Sequence, residues 1–132
     1  MSLTTKLRVG VIGAGRIGKL HADNLARRIP NVEVAGIADI YLPAAQELAA
    51  NLRVPVAVPD YHALLADPAI DAVLICSATD THSTIIVEAA RAGKHIFCEK
   101  PIDFDLARID RALEAVTNAG VKFQIGFNRR FD

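Results

Sequence analysis

The sequence predicts an α/β fold, a doubly wound parallel sheet of about six strands with helices on both faces. Three observations carry that prediction. Short apolar runs alternate along the chain with stretches of helical periodicity, the pattern of successive βαβ units. The runs are built from Val, Ile, Leu and Ala, and the 132 residues include only five Phe, two Tyr and no Trp. A parallel sheet covered on both faces draws on such residues. Hydrophobic residues make up 52% of the chain, enough for one domain of this length to bury a substantial core.

Each element has its own signal. Residues 7–13 (LRVGVIG) read as the first strand, and 16–28 as a helix with Ile17, Leu20, Asn24 and Leu25 near one face, broken by Pro30-Asn31. Residues 32–39 (VEVAGIAD) form a second strand, and Pro43 opens a helix to about Leu52, since proline suits the first helical turn. Residues 55–58 give a short third strand, and Asp60 caps a short helix that Asp67-Pro68 ends. The β-branched run at 72–77 (AVLICS) is the fourth strand, and a helix from about His82 to Arg91 closes at Gly93. HIFCE (95–99) is the fifth strand; Asp103 or Asp105 caps the next helix, which reaches Asn118 and stops at Gly120. Residues 121–127 form the sixth. Right-handed crossovers then give the strand order 3-2-1-4-5-6.

Charge and cysteine usage narrow the function classes. Fifteen basic residues balance fifteen acidic ones, so no basic footprint suggests nucleic acid or an anionic membrane. The apolar runs fall far short of the roughly 20 residues that span a bilayer, and no signal-peptide pattern opens the chain. Cys76 and Cys98 lie 22 positions apart without CxxC spacing. They read as two small buried hydrophobes in a reducing cytoplasm, not as metal ligands or a disulfide.

Gly13-Ala14-Gly15-Arg16-Ile17-Gly18 is a G-x-G-x-x-G loop that follows a strand and opens a helix. That context marks a dinucleotide-binding, or Rossmann, turn. Gly13 allows the tight turn, Gly15 the approach of a pyrophosphate, and Gly18 close packing of helix on sheet. Arg16 and Ile17 open the helix whose N-terminus faces the phosphates. Asp39, at the end of the second strand and 21 residues past Gly18, is placed to accept hydrogen bonds from the adenosine ribose, with Ile40 beside it. Its charge repels a 2′-phosphate and favours NAD over NADP. The competing structural reading is a glycine turn plus an acid that caps a loop.

Ligands of an open α/β sheet lie outside the carboxyl ends of its strands. Ser77, Thr79 and His82 follow the fourth strand, and Glu99, Lys100 and Pro101 follow the fifth. An ammonium group at such an edge can bond a substrate oxygen and stabilise charge as a hydroxyl loses its proton. His82 is weighed equally as a cofactor contact and as a packed residue. His21 reads as packed or capping, and His62 and His95 as structural or exposed.

GAGRIG, the AGIAD strand end, SATDTH, AGKHIFCEKPI and GFNRRFD together resemble the Gfo/Idh/MocA family of NAD(P)-dependent oxidoreductases, in particular its inositol 2-dehydrogenase branch. The resemblance implies that Lys100 is the catalytic lysine, that Glu99 lies near the nicotinamide ribose, and that the Lys100–Pro101 bond is cis. It also implies that Ser77, Thr79 and His82 border the cofactor, although Asp80 stands where the family often has proline. The implied reaction passes a hydride from a polyol or sugar CH–OH to NAD, with no metal. The implied organisation is a cofactor domain over residues 1–127, with 128–132 leading to a substrate domain that these residues do not include. That domain would carry the general base machinery, and Arg129 or Arg130 would face the substrate side or lie on a solvated turn. The alternative function is an NAD-sensing module without catalysis. A homo-oligomer is expected, because Phe127 and Phe131 would lie bare and the net charge of zero gives little repulsion.

Overall fold

The computed structural model describes residues 6–126. Eleven elements alternate as β1 (Leu7–Ile12), α1 (Arg16–Arg28), β2 (Val32–Ala38), α2 (Leu42–Leu52), β3 (Ala57–Val58), α3 (His62–Leu65), β4 (Ala72–Ile75), α4 (Thr79–Arg91), β5 (His95–Glu99), α5 (Leu106–Ala119) and β6 (Phe123–Gly126). All six strands join one sheet in the order β3-β2-β1-β4-β5-β6, and every neighbouring pair is parallel. The order reverses between β1 and β4, which sets the ligand edge at their carboxyl ends.

Period-two alternation along the strands divides the core between the two faces. Val9, Val11, Ile37 and Leu74 pack with Ala22 of α1 and with Ala45, Leu48 and Ala49 of α2. Val73, Ile75, Ile96 and Cys98 face the other way, onto Ile85, Ile86 and Ala89 of α4 and Ala112 and Val116 of α5. Phe97 lies on the α1 side, so Glu99, two residues further along β5, is directed to that side as well. Helices α4 and α5 both cover the opposite face. An apolar groove of about 550 Å³ is left on the α1 side, bordered by Leu25, Ile29, Phe97 and Phe123.

The caps explain several boundaries. Asp105, not Asp103, caps α5, its carboxylate accepting from Ala107 N at 2.9 Å, and Gly120 ends the helix in the left-handed region. Asp103 serves the preceding turn: its carboxylate accepts from Ser83 Oγ and from the amides of Phe104 and Asp105. Those bonds hold its carboxyl below the usual range, the Ser83 bond most of all.

Two expectations are corrected. Helix α4 begins at Thr79, three residues before His82, because the segment after β4 turns at once into a helix instead of forming a longer loop. The buried face of α1 is Gly18 and Ala22, while Ile17 and Leu20 are 40% and 55% exposed. The helix lies so close to β1 that only small residues fit the contact. A Cβ built on Gly18 would stand 1.8 Å from the Gly13 carbonyl oxygen. Phe127 and Phe131 lie outside the described residues, as does the end of the expected sixth strand.

Candidate functional site

The glycine loop folds as its motif requires. Gly13 has φ of +102°, and a Cβ there would meet the backbone of Cys76 and Ser77 at 2.7 Å, so the loop sits hard against the tip of β4. The first turn of α1 has no side-chain cap and no acidic residue. Its leading N–H groups and the positive end of its dipole are available to an anion. Gly15 is exposed, and a Cβ added to it would find nothing within 4 Å. The open space over Gly15 is what a pyrophosphate would fill, so the loop fits the group that its sequence implies.

Asp39 has a role that the motif does not announce. Its Oδ2 accepts from Ala14 N at 2.7 Å, and its Oδ1 accepts from Tyr41 N at 2.8 Å. The carboxylate therefore braces the glycine loop while each oxygen keeps capacity for a further donor. A crevice of about 300 Å³ brings Gly13, Gly15, Asp39, Ile40 and Ser77 together. Ile40 is 94% exposed at its rim. Arg16 and Ile17 are exposed on the first turn of α1, and Thr79 is half-buried at the start of α4.

Tyr61 also lines this crevice, which the sequence reading did not foresee. It follows the tip of β3 and so obeys the same strand-end rule. Its hydroxyl donates to Glu88, and its ring stacks on His62 with centroids 4.2 Å apart. Burial, reinforced by Glu88, pushes the phenol well above its usual range. His62 in turn bridges Glu88 at 2.5 Å and Asp60 at 2.6 Å, and these two acceptors raise the imidazole's pKa, Glu88 more strongly.

Further along the edge, Glu99 ends β5 and Lys100 follows it, exposed, with the Lys100–Pro101 peptide cis as the resemblance implied. Glu99 is held from the α1 side by a hydrogen-bond contact between its carboxylate and His21 Nε2, and the His21 ring meets Phe97 edge-on at 5.7 Å. A signal for His21 existed: with Gly18, Ala22 and Leu25 it completes the i, i+3, i+4, i+7 face turned to the sheet.

His82 is the correction among the expected cofactor contacts. It is 1% exposed, with Nδ1 at 2.8 Å from the Pro101 carbonyl and Nε2 at 2.8 Å from the Ser77 carbonyl. Both ring nitrogens face main chain, and neither is free for a ligand. Burial pushes the thiols of Cys76 and Cys98 up to about 12, and both remain free cysteines. Among the described residues no group of three or more His, Cys, Asp or Glu could hold a metal ion, and no helix is long and apolar enough to cross a membrane.

Comparison with known proteins agrees with this geometry. Residues 7–127 match the model of the Gfo/Idh/MocA oxidoreductase family, described as having an NAD-binding Rossmann fold. The chain is 48% identical over 130 residues to the uncharacterized oxidoreductase YrbE of Bacillus subtilis, covering 98% of this chain and 38% of that protein. It is 46% identical over 126 residues to the myo-inositol 2-dehydrogenase of Thermotoga maritima, covering 96% of this chain and 37% of the relative. The scyllo-inositol dehydrogenase of Lactobacillus casei, solved with NAD(H) and scyllo-inositol, superposes with a TM-score of 0.91 at 33% identity, over 97% of this chain and 38% of that one. The 132 residues thus span less than two-fifths of the length of these relatives. The family match over residues 7–127, with which the loop, the braced acid and the strand order agree, places this chain in the Gfo/Idh/MocA oxidoreductase family, as an NAD-binding Rossmann domain.

Proposed function

We propose that this domain serves a dehydrogenase that oxidises a CH–OH group of an inositol-like polyol, with NAD⁺ as the hydride acceptor. The observation that carries the reading is Lys100, an exposed ammonium group one residue past the end of β5, on the same sheet edge as the glycine loop and Asp39. The inositol dehydrogenases among the relatives supply the substrate class.

Gly13, Gly15 and the first-turn amides of α1 would hold the pyrophosphate, and Asp39 the adenosine ribose, disfavouring a 2′-phosphate by charge. Ile40 would border the adenosine end, while Ser77 and Thr79 would border the crevice after β4. Glu99 would lie toward the nicotinamide ribose. Lys100 would donate a hydrogen bond to the reacting oxygen and stabilise the negative charge that develops there as the hydroxyl proton leaves and the C–H bond breaks. The proton acceptor and most substrate contacts would come from a second domain, with residues 1–127 as the cofactor part and 128–132 as the start of the connection.

An NAD sensor without chemistry has no use for an ammonium group at this point, so Lys100 separates the two readings. In the protein with its substrate domain present, Lys100→Ala lowers turnover by about 10²-fold or more while NAD affinity stays nearly unchanged. Normal turnover in that variant refutes the proposal.

A further inference from the structure

The turn that carries Lys100 is gripped from both layers of the fold. On the α1 side His21 pairs with Glu99. On the α4 side, two successive residues reach the segment after β5: His82 Nδ1 lies 2.8 Å from the Pro101 carbonyl, and Ser83 Oγ donates to Asp103 at 2.8 Å. His82 also has Nε2 at 2.8 Å from the carbonyl of Ser77. Its buried ring thus spans the two segments that border the cofactor edge, the one after β4 and the one after β5. Carbonyl oxygens only accept, so a neutral imidazole donates to one of them and leaves the other bond unmade.

We infer that His82 is a positioning residue, whose Nδ1–H to the Pro101 carbonyl sets Lys100 and Glu99 over the nicotinamide end of the cofactor site. The inference rests on the role of Lys100 proposed above. With the proton on Nδ1, the Nε2 side only packs against the Ser77 carbonyl and makes no hydrogen bond to it. The Pro101 arm governs the nicotinamide end. The two arms are chemically separable, because an asparagine amide reproduces the donor position of Nδ1 and a glutamine amide that of Nε2. His82→Gln places a donor toward the Ser77 carbonyl and loses the Pro101 hydrogen bond, whereas His82→Asn keeps the Pro101 hydrogen bond. Ser83→Ala loosens the same segment farther from Lys100 and serves as the control.

The test is calorimetric titration of the 132-residue chain and these three variants with NAD and with ADP, which lacks the nicotinamide half. The readout is the ratio of the two affinities, which global loosening of the fold does not move. Lys100 contributes little to NAD affinity, so the loss is expected through Glu99 at the nicotinamide ribose: His82→Gln lowers the NAD-to-ADP affinity ratio about tenfold, while His82→Asn and Ser83→Ala leave it within about twofold. An unchanged ratio in His82→Gln, or an equal fall in all three variants, overturns the inference. Should His82→Gln fail to fold, ¹⁵N NMR of the imidazole in the unaltered chain decides: a proton on Nδ1 coupled to the Pro101 carbonyl supports the role, and a bare Nδ1 overturns it. The affinity ratio does not depend on Lys100 being the catalytic group. Its outcome is therefore distinct from the turnover test of Lys100→Ala.

Discussion

Gly15→Ala separates a ligand-binding glycine from a structural one within the same loop. A Cβ at Gly15 meets no atom within 4 Å, and the residue has φ of −77°, which any L-residue adopts. Replacing glycine with alanine where the backbone permits it stabilises by about 0.4–1 kcal/mol through the unfolded chain. Against this, alanine is a poorer N-cap than glycine, at a cost of order 0.5–1 kcal/mol. The two nearly cancel, so Tm should move by no more than a few degrees. NAD affinity, by contrast, should fall at least tenfold, about 1.4 kcal/mol, because the methyl group occupies the space that the pyrophosphate needs. Gly18→Ala is the opposite case. Its Cβ would stand 1.8 Å from the Gly13 carbonyl oxygen, backbone against backbone, and α1 would have to move off the sheet. The cost there is expected at or above the 1–3 kcal/mol typical of overpacking. The assay pairs thermal melting with calorimetric NAD titration. If Gly15→Ala binds NAD as tightly as the parent chain, the loop is only a turn and the reasoning fails.

Three further outcomes are expected. Asp39→Ala removes the acceptor for Ala14 N and Tyr41 N, so it should lower Tm and NAD affinity together, and Asp39→Ser with Ile40→Arg should shift preference toward NADP; equal NAD and NADP affinity in the parent chain would contradict the role of Asp39. The raised pKa of His62 contributes stability that is complete below its unfolded value of about 6.5 and is lost as pH rises through the higher folded value. The Tm deficit of His62→Ala should therefore be largest below pH 6.5 and shrink on the alkaline side, and a deficit that grows with pH would refute the bridge to Glu88 and Asp60. The groove beside Phe97 and Phe123, open among the described residues, should make the 132-residue chain self-associate, and light scattering that shows a monomer at high concentration would count against it.

The strand order was legible because each signal in it is local. The apolar runs give the strands, the glycines at 93 and 120 end their helices, and the right-handed crossover rule orders the sheet. The glycine loop and Asp39 were legible because their spacing is imposed by one ligand. What escaped depended on packing between distant segments. The face of α1 was placed only in part: Leu25 packs toward the sheet as expected, but Ile17 and Leu20 do not, because pattern reading rewards large apolar residues whereas the close approach at Gly18 buries only small ones. His82 looked like a ligand contact from its place after β4, yet its partners lie at Ser77 and Pro101 and no periodicity reveals them. Lys94, 5% exposed, was also missed: its ammonium donates to the carbonyls of Asp67 and Ile70 at 2.6 and 2.7 Å, a site that exists only once α3 and β5 are brought together.

The central claim is that NAD lies along the carboxyl edge of the sheet, from Asp39 across the glycine loop to Lys100. Amide NMR of the ¹⁵N-labelled chain during titration with NAD tests it most directly. Saturable shifts at Gly13 to Gly18, Asp39 to Tyr41, Ser77 to Thr79, and Glu99 and Lys100 are the predicted result. Shifts confined to the groove between α1 and β6, or to the hollow between α4 and α5 near Arg91 and Arg111, would contradict it.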